Sequence, residues 1–289
     1  MDKITTEQTF EPARLHQQPG LFAPFVVTTD GLPLPEASLS DSTELIVFER
    51  QGEQRALLVP EMAYHHLAQG ELAGEPYIIS FCGVCHSGVG MTPLVDGKVH
   101  HFEVGGLYNG VAILTDAETG TYWDHITGRA VFGPLQGTQL AVWNMEMTTV
   151  NAALAQRPQL KLLRSHQRPV LTRLMRLGQW LFGRTGFLPK LFTQTMAPED
   201  PRLPRMTLGL GVVVERSARF YPLSALQQGV QDELENRPLR VTLNGADGVP
   251  QATWQEGTRP LQYFLRWYGF ALTFPHCTIY PSAHETQLD

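Results

Sequence analysis

The chain is poor in cysteine, with three in 289 residues, too few for a disulfide framework. It also lacks any apolar run near the ~20 residues that span a bilayer. The first twenty residues, MDKITTEQTFEPARLHQQPG, mix both charge signs and hold no apolar stretch like that of a secretory signal. These absences predict a cytoplasmic protein whose thiols stay reduced. No Ser-His-Asp arrangement stands out, and Gly209-Leu210-Gly211 lacks the third glycine and following helix of a nucleotide loop. A net charge of −6 without a recognition motif argues against nucleic acid as a partner. What is present is an ordinary globular composition, 43% apolar and 17% charged, sufficient for a substantial core.

The sequence also repeats itself. Residues 59–81, VPEMAYHHLAQGELAGEPYIISF, align without gaps on 221–243, YPLSALQQGVQDELENRPLRVTL, and six of the 23 columns are identical. Upstream, VFER (47–50) answers VVER (213–216). Each copy has the pattern of a strand, a turn, a proline-started helix and a second strand. Each closes on a helix, a proline turn and a short apolar strand, TTVNAALAQRPQLKLL (148–163) and FLRWYGFALTFPHCTIY (264–280). The expectation is an α+β, β-rich fold in which a duplicated strand-helix-strand unit forms one pseudo-symmetric body. The parts expected are an N-terminal extension over 1–44, a first half over 45–164, a basic connector over 165–205 and a shorter second half over 206–289.

The halves differ after Phe81. The first runs for about fifty residues before its closing helix and the second for about twenty. All the candidate chemistry lies in that extra stretch, which opens with FCGVCHSG (81–88). The second half has Leu243-Asn244-Gly245 where the first has Phe81-Cys82-Gly83, so the first half is expected to be active and the second a scaffold. The rest of the stretch is β-rich, with a hairpin turn at Asp96-Gly97 and another turn over 116–120.

In IISFCGVC, VDGKVHHFEVGGLYNGV, DAETGTYWDHITGRAVFGPLQGTQL and DPRLPRMTLGLGVV leading into YPLSAL, the chain resembles the bacterial domain-of-unknown-function family numbered three-one-seven-nine. The resemblance covers about residues 45 to 280 and implies a fold more than a function. Members often carry Gln where His125 stands and often lack a His after the second Cys, so the histidines here mark a subgroup.

C-x-x-C-H fits three chemistries. Haem attachment is disfavoured without export. A transition metal (zinc, copper or iron) would take Cys82, Cys85, His86, His101 and His125 as candidate ligands, because two thiolates on one turn can aim at one ion and histidines from neighbouring strands can complete the set. His101 is preferred to His100 by strand parity. An open position on the metal would serve a metal-dependent oxidoreductase or hydrolase acting on a small-molecule or thiol substrate, with Asp124 and His125 moving protons. A metal-free dithiol oxidoreductase is the alternative. It lacks the helix that usually lowers the leading thiol's pKa, since HSGVGMTP follows. Against both stands plain burial of cysteines as small apolar residues, the expectation for Cys277.

From Met147 to Pro198 there is no acidic residue, while Arg157, Lys161, Arg164, Arg168, Arg173, Arg176, Arg184 and Lys190 are all basic. Leu171, Leu174, Leu177 and Leu181 share one helical stripe within 170–192. This segment fits either a docked linker helix or an interfacial helix lying on an anionic membrane, which would make the protein peripheral and leaves a non-enzymatic membrane-surface or metal-handling protein as a further alternative.

Overall fold

The computed structural model describes residues 10–20, 22–27, 29–165 and 185–281. It is β-rich with few helices. Two sheets match strand for strand. In the first, Glu44–Arg50 pairs antiparallel with Glu53–Leu58, Glu146–Thr149 adds antiparallel outside the former, and Lys161–Leu163 adds parallel outside the latter. In the second, Leu208–Val214 pairs with Ser217–Pro222, flanked in the same senses by Leu261–Arg266 and Thr278–Ile279. A parallel neighbour needs a crossover. In both sheets a seven-residue helix occupies that crossover, Val150–Gln156 and Trp267–Thr273.

The rest of each unit is an antiparallel meander. Leu67–Leu72, Glu75–Cys82 and Ser87–Thr92 form one, and Val230–Leu234, Arg237–Leu243 and Pro250–Trp254 form the other. The first turn of each has two successive positive φ angles, 51° and 77° at Ala73-Gly74 and 52° and 57° at Glu235-Asn236. That conformation matches the twist of paired strands. The second meander alternates buried and exposed residues, as a sheet with one wet face should, whereas Glu75–Cys82 is buried over its last six residues. The expected proline-started helices are an α-helix at Val59–His65 and only a short 3-10 turn at Leu223–Leu226.

The two regions share one core. Leu67, Ile78, Met91 and Trp123 pack in the same cluster as Val213, Phe220, Tyr263 and Trp267. The N-terminal residues are woven into this body. His16–Gln17 pairs with Phe102–Tyr108, Phe25–Val26 with Leu67–Leu72, and Leu32–Pro33 with Lys161–Leu163. The extra stretch of the first region folds back as a sheet of Phe102–Tyr108, Val111–Asp116, Tyr122–Asp124 and Ala130–Phe132. Its Asp96-Gly97 hairpin forms as expected.

Leu171, Leu174, Leu177 and Leu181, the stripe of the 170–192 segment, lie outside the described residues. Its end, from Thr185, contributes Leu188 and the short helix Lys190–Gln194. Among the described residues no helix is long and apolar enough to cross a membrane.

Candidate functional site

Strands Glu75–Cys82 and Ser87–Thr92 form a hairpin whose last pair is Cys82 with Ser87, leaving Gly83 to His86 as the tip. The hairpin is tightly overlaid. A Cβ on Gly88 would lie 2.1 Å from the Ser80 carbonyl oxygen, and one on Gly90 would lie 2.1 Å from the Trp143 ring. His86 closes the tip with φ of +56°, and its ring packs edge-on against Phe81 and Phe264.

Both thiols are sealed, with Cys82 2% and Cys85 0% exposed. Three other parts of the chain cover them. Val111 comes from the added sheet, Tyr268 and Leu272 from the helix Trp267–Thr273, and Leu188 from the end of the connector. The helix approaches closely because it has Gly269 there, whose Cβ position lies only 3.2 Å from the Cys85 Cβ. The Arg266 amide at its start donates to the Cys85 carbonyl at 2.8 Å.

Within this dry pocket the polar side chains form a line. The Cys85 thiol reaches the Cys82 carbonyl oxygen at 3.7 Å, and His66, whose Nδ1 meets the Tyr64 carbonyl at 3.1 Å, stands beside Cys82. The Cys85 sulfur lies 2.6 Å from Ser87 Oγ, which lies 3.0 Å from His125 Nε2. The neighbouring Cys85 thiol, joined by His66, outweighs burial and holds the Cys82 thiol well below the usual range. Burial pushes the Cys85 thiol up, and the neighbouring Cys82 sulfur adds to the effect. Burial also lowers the His125 pKa, which favours neutral imidazole.

His125 is positioned by its turn. Asp124 Oδ1 accepts from the Ile126 amide, the Thr127 amide and the Thr127 hydroxyl, at 3.0, 2.7 and 2.9 Å. The Ser80 hydroxyl ties the turn to the hairpin by donating to the His125 carbonyl at 2.7 Å. Asp124, expected to move protons, therefore has one carboxylate oxygen engaged in holding this turn.

Of the residues singled out from sequence, Cys82, Cys85 and His125 come together. His86 lies close by but touches neither sulfur, its Nε2 is buried without a partner, and burial depresses its pKa to about 4. His101 is elsewhere. Its side chain is 69% exposed and its Nδ1 meets Glu118 Oε1 at 2.7 Å. The parity argument assumed a continuous strand, but the strands stop at Val99 and resume at Phe102, so it is His100 that is buried. Among the described residues, the place where three ligand atoms of His, Cys, Asp or Glu gather within 4.8 Å is His100, Asp116 and Glu118. There Asp116 already accepts from Trp123 Nε1 at 2.8 Å and from Thr119. Cys277 is buried in the shared core, and burial raises its thiol to about 11.

Two residues of the line escaped the sequence reading. His66 ends the helix Val59–His65 in the left-handed region, and its carbonyl accepts from the Phe81 amide at 2.8 Å. Extending the Leu67–Ser80 strand register by one residue would have placed it opposite Phe81, one residue before Cys82. Ser87 follows the C-x-x-C-H motif and faces Cys82 across the hairpin, so the hairpin register alone points to it.

The family model described as protein of unknown function (DUF3179) matches residues 19–259. The chain belongs to this family. No curated protein and no solved structure matches it. DUF3179 membership thus agrees with the motifs around the thiol hairpin and assigns no chemistry to them.

Proposed function

We propose that Cys82 and Cys85 are a dithiol redox centre that closes reversibly to an intramolecular disulfide, with Cys82 as the attacking thiolate and Cys85 as the resolving thiol. The observation that carries this reading is the line from the Cys85 sulfur through Ser87 to His125, with the Cys85 thiol also reaching back to the carbonyl oxygen of Cys82 in the same sealed pocket. A chain of donors and acceptors makes one thiol more acidic than its partner, which is the asymmetry thiol–disulfide chemistry needs. Burial of both sulfurs restricts the oxidant to a small molecule, and a hydroperoxide suits the site.

The steps balance. Cys82 thiolate attacks the hydroperoxide, the O–O bond breaks, and the departing alkoxide takes up a proton, leaving sulfenic acid on Cys82. The Cys85 sulfur then forms the S–S bond as the S–O bond breaks, and its proton leaves with the hydroxide as water. Two electrons pass to the hydroperoxide and one proton is taken up overall. A thiol reductant returns the pair to its starting state.

A second reading keeps a metal at the same sulfurs. Two thiols on one tight hairpin tip in a dry apolar pocket suit a soft ion such as Cu(I). Intact mass of natively purified protein, equilibrated across glutathione buffers and alkylated, separates the two. The dithiol reading expects a reversible loss of two hydrogens and two alkylatable thiols in metal-free protein. Stoichiometric metal, with both thiols protected until denaturation and no disulfide in any buffer, would overturn it in favour of the metal.

We further infer that the two matched units are copies of one duplicated unit. Their common strand order and the six identical columns support this. The first copy would have acquired the thiol hairpin and the added sheet, and the second would serve as its support.

A further inference from the structure

Three of the elements that build the thiol pocket also line one cleft of ≈ 490 Å³, counted to its open mouth. Val111, from the added sheet, lines the cleft and packs in the apolar cluster that holds Cys82 and Cys85. Thr273 lines it from the end of the helix Trp267–Thr273, and its hydroxyl donates at 2.8 Å to the carbonyl of Gly269, the residue set against Cys85. Asp124 and Thr127 line it from the turn that carries His125. The cleft and the sealed thiols thus share a wall, and Val111 is the residue common to both. Phe10 and Tyr108 add an aromatic face to the cleft, their ring centroids stacked 4.6 Å apart. Among the described residues that line it, Asp124 is the one that carries charge. Such a surface favours a neutral molecule with an apolar part over an anion.

We propose that this cleft admits a neutral alkyl hydroperoxide to the thiols, with Phe10 and Tyr108 holding the alkyl group and Val111 as the side chain it displaces. The inference rests on the dithiol reading and names the class of its oxidant. Past Val111, the hydroperoxide gives its terminal oxygen to the Cys82 thiolate as the O–O bond breaks, and the alkoxide takes a proton from the water of the cleft and leaves as the alcohol. The Cys85 sulfur then forms the S–S bond as the S–O bond breaks, and its proton leaves with the hydroxide as water. Two electrons have passed from the sulfurs to the hydroperoxide. The alkyl group is the part the cleft can recognise, because the peroxide group is the same in every hydroperoxide.

The test times disulfide formation in reduced, metal-free protein with tert-butyl hydroperoxide and with hydrogen peroxide, and reads the ratio of the two rate constants. A variant that merely loosens the fold moves both rates and leaves the ratio alone. Phe10→Ala removes the aromatic face and is expected to lower the ratio roughly tenfold, the scale of a lost apolar contact. Val111→Ala thins the shared wall and should raise the ratio severalfold, because the bulkier reagent gains more from the added room. An unchanged ratio in either variant would overturn the entry route and leave the dithiol reading intact. So would wild-type protein that forms the disulfide in glutathione buffers yet with neither peroxide. A wild-type protein that never forms the disulfide would remove both.

Discussion

The hairpin that carries the thiols has a counterpart in the second unit, and their tips have opposite fates. In the counterpart, the tip between Arg237–Leu243 and Pro250–Trp254 is an Asn244 turn. The Asn244 side chain accepts from the Ala246 amide at 3.0 Å, the Gly248 amide reaches the Asn244 carbonyl at 2.7 Å, and Gly245, Ala246 and Gly248 are exposed. At the first tip, the added sheet, the helix Trp267–Thr273 and Leu188 cover Cys82 and Cys85 from three sides. Matched hairpins thus end in a bare six-residue solvent turn in one unit and a covered four-residue tip that makes a dry thiol pocket in the other. The burial of the two thiols belongs to the cover and not to the C-x-x-C spacing.

The largest expected effect removes the difference altogether. Cys82→Ser or Cys85→Ser should abolish the intramolecular disulfide completely, as read by alkylation mass. Only Cys82→Ser should also remove the acidic thiol. The reverse exchange tests the cover. Asn244→Cys combined with Asp247→Cys puts the same spacing on the bare tip, where the new thiols should titrate near the ordinary pKa of ~8.5. At neutral pH Cys82 should then carry the larger thiolate fraction.

Packing should follow the same divide. Gly88→Ala sets a Cβ 2.1 Å from a backbone oxygen and should cost roughly 3 kcal/mol by denaturant titration, the upper range for overpacking. Gly245→Ala meets nothing within 4 Å and should stay within about 0.5 kcal/mol of wild type.

The smallest effect is a pH dependence confined to the covered tip. The His86 pKa is depressed to about 4 when folded, against 6.5 in the open chain. The unfolded state therefore binds the proton more readily, and stability is present above pH 6.5 and lost as pH falls toward 4. The loss should be on the order of 2 kcal/mol, allowing for a ring that is not wholly sealed. His86→Asn, which tolerates positive φ, should flatten that part of the profile.

Local patterns in the sequence were sufficient for much of this architecture. The Asp96-Gly97 turn, the two closing helices with their short strands and the absence of a helix after Cys85 all follow from turn residues, proline placement and apolar periodicity. Cys82, Cys85 and His125 were legible as chemistry-bearing types in one stretch. His66 and Ser87 were not, because their roles come from strand register, which places residues far apart in sequence, or of unremarkable type, against the sulfurs. His101 was misjudged for the same reason, since a break between two short strands inverted its face. The cover could not be anticipated at all. Gly269 and Tyr268 reach the thiols from the other unit, and nothing in their own sequence neighbourhood signals it.

The most direct test of the account is an ultraviolet thiolate titration of reduced, metal-free protein, with Cys82→Ser and Cys85→Ser measured alongside. The account predicts one thiolate that persists well below the ordinary thiol range in wild type and vanishes in Cys82→Ser. In Cys85→Ser it shifts upward, because the donor from Cys85 changes. If all the thiols of the wild-type protein stayed protonated up to the ordinary range or beyond, Cys82 would be a buried apolar residue and the dithiol centre would be contradicted.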